Sequence, residues 1–508
     1  MSGEPGREPY VRYRFPPLER RGVIAGWRAG QVGAVAVSLV LAVLSVRSRP
    51  SFGGVLIAVL LVGIGVVMAF WPIAGRTGEQ WLPVVVHWGW AGATGRRVQV
   101  DRGPRSGTTV EVDESSGDGP TRVARRSSTA SAATFDGFEI VGSRPEDSDG
   151  TGIGVIVDQR ARTITAVLQL RGHSFALLGP IEQDARVAGW ARVLASLARD
   201  GSSVHRLQWV ETCLPDDGSA VRSHLDDHGV LAEDSPAARS YRALLDESSP
   251  VTRRHCVLLA VTVHRGRSAR AIRAAGGGLD GALEVLTREV SAVGTTLGGV
   301  DVAVDGVLDR VGLGRIVAEA LLPAPDWSGA TATPVATGGS PWPMGTEARW
   351  DLVRTDGTWH AAYWVAEWPR VDVQPDFLGP LLFAPLRRTL SVVMEPIDPS
   401  RAARQVAQAR TAGLADGELR RRNGFLTSAR HSRESQSIDE RDVELADGHA
   451  QFRYTGYLGV TADSHAELIA SCAALEQAAG HSRLDIRRLF GQQDAALLCL
   501  LPLGRGLS

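Results

Sequence analysis

Residues 29–70 read AGQVGAVAVSLVLAVLSVRSRPSFGGVLIAVLLVGIGVVMAF, and this stretch decides the class of the fold. Residues 29–46 carry only Gln31, Ser38 and Ser45 as polar side chains, and residues 52–70 carry none. As helices rising about 1.5 Å per residue, the two runs are roughly 27–29 Å long, close to the hydrocarbon thickness of a bilayer. Only Arg47-Ser48-Arg49-Pro50-Ser51 separates them. The expectation is a two-helix transmembrane hairpin. The competing reading, a buried core hairpin of a soluble protein, is disfavoured because long uncharged helices seldom pack inside small domains.

The rest of the chain has the composition of a soluble body. Of 508 residues 22% are charged, and the formal net charge is −1. That balance argues against a dedicated nucleic-acid binder, which needs a basic face. All 55 basic residues are arginine, so no Schiff-base lysine, lysine general base or phosphate-loop lysine exists in this chain. Cys213, Cys256, Cys472 and Cys499 form no CxxC pair, and neither a zinc site nor a disulfide framework is signalled. No metal and no cofactor is expected. Arg12, Arg14, Arg20, Arg21 and Arg28 precede the first run, and Arg76, Arg96 and Arg97 follow the second. The positive-inside rule then puts both termini and the body in the cytoplasm.

Composition divides the chain further. Residues 1–28 form a cytoplasmic amino-terminal segment, and 29–70 the transmembrane hairpin. Residues 71–100 form an interfacial segment, in which Trp71, Arg76, Trp81, Trp88 and Trp90 are the candidate membrane-interface residues, because tryptophan favours the headgroup level. The alternative is a short element packed on the soluble body. Residues 101–134 carry almost no large apolar side chains and read as a disordered linker. A first α+β unit spans 135–323, a Pro/Gly-rich linker 324–345, and a second α+β unit 346–508. The predicted fold class is therefore α+β, a membrane hairpin followed by two units built on antiparallel hairpins.

The segments behind that reading are local. Residues 152–170 suggest a β-hairpin, and residues 182–199 place Val187, Trp190, Leu194 and Leu197 on one helical face. A strand is expected at 257–263 and helices near 281–293 and 306–321. In the second unit, Asp356-Gly357 marks a tight turn between strands carrying Trp350 and Trp359. Asp398 caps a helix opened by Pro399. Strands at 390–394 and 452–460 and a helix from Asp463 or Ser464 follow.

The search for chemistry is mostly negative. Gly276, Gly278 and Gly281 match G-x-G-x-x-G, but an arginine-rich helical stretch precedes them where a dinucleotide site needs a strand. The pattern reads as a turn. His173, His205, His255 and His264 are scattered, and Arg420-Arg421-Arg422 is followed by acidic residues that suit a solvated, ion-paired helix face.

Two groups of residues carry a resemblance. The hairpin followed by Gly75-Arg76-Thr77, Glu79, Trp81, Pro83 and Trp88 resembles the PrgI family, two-span inner-membrane proteins of Gram-positive conjugation systems. Residues from about 135 to 503 resemble the non-catalytic amino-terminal domain of the type IV secretion ATPase. The carrying segments are Gly154–Asp158, residues 167–176, Arg206-Leu207-Gln208-Trp209, and residues 489–493 through Leu501-Pro502-Leu503. In that ATPase the leucine-proline-leucine close leads into a nucleotide-binding domain, which has no counterpart in the sequence here. The chain is also similar to uncharacterised membrane proteins of high-GC Gram-positive bacteria. The type VII secretion subunit EccE shares the arrangement of two spans and a cytoplasmic body, but no segment carries that likeness. The resemblance implies a non-enzymatic scaffold whose partners are the type IV secretion ATPase, other membrane subunits, the lipid bilayer or further copies of itself. Trp359, Trp364 and Trp368 are the candidate partner-binding residues. The alternative is a membrane-tethered enzyme or a ligand-binding regulatory protein with an unrecognised site.

Overall fold

The computed structural model describes residues 29–48, 50–73, 75–100, 134–142, 152–171, 175–199, 201–216, 219–228, 235–248, 253–300, 302–322, 340–422 and 429–507. The amino-terminal segment, the linker but for Thr134, and most of the second linker lie outside these residues. The two apolar runs are helices, α1 (Ala29–Ser48) and α2 (Phe52–Phe70), the second opened by Ser51, whose side chain accepts from the Gly54 amide. They pack on each other through small residues, with Gly65 against Ser38 and Ala34, as helices do where close approach replaces hydrophobic drive. Their large side chains face outward: Phe52 is 86% exposed and Val59 66%. With mean hydropathies of 1.8 and 2.7 they are long and apolar enough to cross a membrane, and they contribute little to the body's core.

A two-residue ribbon, β1 (Pro72–Ile73) with β2 (Arg76–Thr77), leads from α2 into α3 (Gly78–Ala93) and β3 (Val98–Val100). The first half of the body follows: β4 (Phe138–Gly142), β5 (Gly154–Asp158), β6 (Thr163–Arg171), α4 (Pro180–Leu197), β7 (Val204–Pro215), α5 (Ser219–His228), α6 (Pro236–Ser248), β8 (Arg253–His264), α7 (Ala269–Ala274), α8 (Gly278–Gly298), β9 (Ala303–Val307) and α9 (Arg310–Leu321). The second half comprises β10 (Gly345–Ala348), β11 (Val353–Thr355), β12 (Thr358–Glu367), α10 (Gly379–Leu382), β13 (Arg388–Pro396), α11 (Pro399–Arg422), α12 (Ala429–Ala446), β14 (Phe452–Ala462), α13 (His465–His481), β15 (Asp485–Arg488) and α14 (Gln493–Leu500).

Among the described residues, thirteen strands form one antiparallel sheet in the order β3-β10-β11-β12-β14-β13-β7-β8-β6-β5-β4, with β15 on β12 and β9 on β6. The order is a palindrome in architecture. In each half a hairpin (β5–β6, β11–β12) is followed by a strand that skips one place (β7, β13). A helical excursion (α5–α6, α11–α12) then returns the chain into the gap (β8, β14). A helix (α8, α13) carries it back to complete the long hairpin strand (β9 on β6, β15 on β12), and a last helix (α9, α14) closes the half. The halves join where β7 and β13 pair antiparallel, Arg388 opposite Cys213 through Met394 opposite Leu207. The sheet is continuous across this seam, so the two stretches expected as separate units share one backbone hydrogen-bond network.

The faces of the sheet are covered differently. On one, α9, α14 and the residues after α14 share a single core with Val210, Val393 and Tyr457. On the other, α4 and α8 cover the first half and α13 the second, each over its own cluster. Trp342 sits in the shared core and stacks on Phe135 at 5.4 Å, so residues 340–345, expected as the end of a linker, pack as part of the body. The helix read at 182–199 is α4, with Val193 and Leu197 buried and Val187, Trp190 and Leu194 half-buried. Gly276, Gly277 and Gly278 all have positive φ in the turn between α7 and α8, where a left-handed backbone favours glycine.

The last turns of α9 and α14 are exchanged between the halves. Thr165 and Thr262 share a hydrogen bond of 2.9 Å across β6 and β8, and Thr165 donates onward to the Leu503 carbonyl, beyond α14. The equivalent pair across β12 and β14 is His360 Nδ1 with Thr461 Oγ1 at 3.0 Å. His360 Nε2 lies 2.7 Å from Thr355 Oγ1, which donates to the Leu321 carbonyl ending α9. Since Thr355 spends its proton on Leu321, His360 donates from Nε2, and in the neutral ring that burial favours Nδ1 accepts from Thr461. Burial, and then the nearby Arg387 guanidinium, depress it to about 3.

Candidate interaction site

Helix α3 joins the apolar hairpin and the body. Trp81, Val84 and Trp88 recur at i, i+3 and i+7 and therefore share one face. Trp81 stacks on Trp350 with centroids 5.8 Å apart, Trp88 meets the same ring edge-on at 5.0 Å, and Phe490 closes the group 6.4 Å from both Trp81 and Trp350. Val84 is buried. Arg97 lies over the Trp88 ring, and its guanidinium donates to the Trp88 carbonyl. The opposite face, with Leu82, Val85, Val86 and Trp90, is exposed. Of the five residues expected at a membrane surface, Trp81, Trp88 and Arg76 thus turn onto the body, while Trp71 (65%) and Trp90 (51%) stay exposed. The seven-residue spacing of Trp81 and Trp88 was the signal for this in the sequence.

The three candidate partner-binding tryptophans do not form one patch. Trp364 lies on the α14 face of β12, under the Arg76 guanidinium at 5.9 Å. Trp368 packs edge-on against Tyr454. Trp359, half-buried beside His465, has the exposed Arg349 and Arg354 over its ring at 5.3 and 5.2 Å. An aromatic ring rimmed by two guanidiniums is the composition that dominates interface centres.

Beneath the surface, the segments that carried the sequence resemblance meet. Gln208 on β7 donates to the Cys499 and Leu501 carbonyls at 2.9 and 2.8 Å and accepts from the Gly504 amide at 2.7 Å. Arg206 donates to the Gly504 carbonyl and pairs with Glu395. Arg505 pairs with Asp158 at the end of β5. Segments 291 to 347 residues apart therefore meet on this face, residues 499–505 bonding both to β7 and to the end of β5.

The other face of the junction holds the most chemistry-like cluster. Fully buried Arg388 donates from both terminal nitrogens to Glu211 and also to the Leu382 carbonyl. Glu211 holds His255 Nδ1 at 2.7 Å, and His255 Nε2 lies 4.0 Å from Cys213 Sγ. The order thiol, imidazole, carboxylate is that of a nucleophilic triad. Here, however, Cys213 is 1% exposed and burial pushes its thiol up, whereas a cysteine nucleophile must be a reachable thiolate. Cys256, Cys472 and Cys499 are raised by burial as well. Between α9 and α14 a cavity of about 30 Å³ touches Thr212, Leu258, Ile316 and Leu497. That is room for about one water, against several hundred Å³ for a metabolite site. Among the described residues no cluster of metal-ligating side chains occurs. No protein-family model matches the chain, and no curated protein matches it significantly.

Proposed function

We propose that the chain is a non-enzymatic membrane scaffold of a type IV secretion or conjugation-like apparatus. In this reading α1 and α2 span the membrane, both termini and the body are cytoplasmic, and the body docks a separate ATPase beside further membrane subunits. The observation that carries the reading is that one closing segment, residues 499–505, which includes Leu501-Pro502-Leu503, bonds both to Arg206 and Gln208 on β7 and to Asp158 at the end of β5. These are the segments that resemble the secretion ATPase's non-catalytic domain, and their mutual contacts make them parts of one framework. The coupling of that framework to the apolar hairpin through Trp81, Trp350 and Phe490 also suits a scaffold that transmits position. Trp359 with Arg349 and Arg354 is the favoured docking centre.

The test is capture of a separately encoded secretion ATPase by the full chain in detergent. The intact chain should retain it, and Trp359→Ala should weaken retention by roughly 30-fold or more, the size of a hot-spot loss. Trp368→Ala should retain most of it. No capture by the intact chain, or equal capture by residues 29–70 alone, would overturn the proposal.

A further inference from the structure

At the point where the hairpin enters the body, one arginine stands without a carboxylate partner. Arg76 lies directly opposite Ile73 in the β1–β2 ribbon, six residues past the end of α2, in a ribbon that folds back toward it. At about 3.3 Å per strand residue, Ile73 and hence Arg76 are within roughly 10 Å of the last turn of α2. The Arg76 Nη1 donates to Gln492 Oε1 at 3.0 Å. Its guanidinium rests against the rings of Trp81 and Trp364, at 5.6 and 5.9 Å. An amide oxygen and two rings orient the cation, but none of them carries a negative charge. No carboxylate lies within ion-pair distance of Arg76 among the described residues.

The nearby charged groups are committed elsewhere. Arg487 donates to the Gly75 carbonyl at 2.6 Å and pairs with Asp485 at 2.9 Å. Glu79 accepts from Thr77 Oγ1 at 3.2 Å, while its other oxygen, buried toward Gly30 at the start of α1, has no hydrogen-bond partner and makes no ion pair with Arg76. Arg488 belongs to Asp351 and Glu476. Two guanidiniums, Arg76 and Arg487, therefore bracket the Gly75 turn, and of the two only Arg487 has an acidic partner. Burial, and then Arg487, lower the pKa of Arg76, which is the electrostatic sign of a cation short of its counter-ion. The exposed Trp71 stands at the carboxyl end of α2, as aromatic residues do at the headgroup level.

We infer that Arg76, with Arg487 beside it, is a binding site for the phosphate group of an anionic phospholipid headgroup in the leaflet where α2 ends. The inference rests on the reading of α1 and α2 as spanning helices. A guanidinium placed beside two rings and bonded through one nitrogen to Gln492 keeps further N–H donors, which suit a phosphate oxygen. The lipid would supply the missing charge and fasten the body at one height below the membrane.

The probe is phosphatidylglycerol added to the detergent-purified full chain, followed by thermal unfolding and by native mass spectrometry of retained lipid. Phosphatidylcholine and inorganic phosphate are the comparison arms. The expected result is stabilisation and retention with phosphatidylglycerol only, with apparent affinity reduced about fivefold in Arg76→Gln, the value of one arginine at an anionic surface. Arg76→Lys should keep most of the phosphatidylglycerol preference, which separates lost charge from lost packing. Equal stabilisation by inorganic phosphate or phosphatidylcholine, or an unchanged lipid preference in Arg76→Gln, would overturn the site. Alkaline-carbonate extraction of membranes tests the spanning hairpin separately. A chain that stays in the membrane pellet yet shows no lipid preference refutes the site alone, and a chain released from the pellet refutes both.

Discussion

Removing Arg388 should separate the two halves of the body energetically. Its guanidinium is fully buried, and it satisfies both oxygens of Glu211 across the β13–β7 pair and the Leu382 carbonyl besides. In Arg388→Ala, Glu211, whose side chain is 7% exposed, keeps only the partly exposed His255. Breaking one side of a buried pair in this way costs about 3–5 kcal/mol, because an uncompensated charge stays behind. The pair as a whole contributes far less, since both charges were desolvated to form it. Arg388→Met combined with Glu211→Leu should therefore recover most of the loss. Arg388→Lys should fall between, since one ammonium cannot match a bidentate fork. The assay is urea unfolding of the full chain in detergent, followed by tryptophan fluorescence, with the midpoint change read at constant slope. Trp209 on β7 lies in the seam itself. A loss below about 1 kcal/mol in Arg388→Ala, or a double variant no better than that single one, would refute the reasoning.

Two further outcomes are expected. His360 is buried, neutral and depressed to about 3, below its ordinary value of 6.5, so the unfolded chain takes up the proton first as pH falls. Its contribution is fully present above pH 6.5 and is lost toward pH 3 at about 1.4 kcal/mol per pH unit. His360→Gln should flatten the stability profile in that window, measured by urea unfolding at a series of pH values, and an unchanged slope would contradict the assignment. Gly154→Ala should cost about 1–3 kcal/mol, because the new methyl would lie 2.5 Å from the Asp309 carbonyl group. That neighbour is backbone and cannot turn aside, so a thermal midpoint equal to that of the parent chain would count against it.

The sequence made the local features legible. Asp398 accepts from the Arg401 amide at the start of α11, Ser464 caps α13, and Thr355 pairs with Thr358 around Asp356-Gly357. Each of these needs only its neighbours in the chain. The seam between β7 and β13 was not legible, because strands nearly 200 residues apart carry no mark of which one will be their partner. Short strands such as β9 and β15 escaped for a similar reason: four or five residues do not establish a period. Nothing local marks Glu211 and Arg388, and only the register that sets Arg388 opposite Cys213 shows them as a buried pair. Arg76 was read with the membrane-facing tryptophans. Its contact with Gln492 across 416 positions lies beyond any local pattern.

Residues 503–507 have a consequence for biosynthesis. Leu503, Gly504 and Arg505 supply partners to Thr165, Gln208, Arg206 and Asp158, and the Leu507 amide donates to the Tyr457 hydroxyl. The first contact closes a separation of 338 positions. At roughly 5–20 residues per second, the ribosome needs about 17–70 s to travel that distance. Throughout that interval Asp158 and Gln208 face water, and the apolar hairpin has long since emerged. The nascent first half thus waits, incomplete, while translation continues. Slow codons or stalls late in the message would prolong the interval in which its open core is exposed to chaperones and proteases.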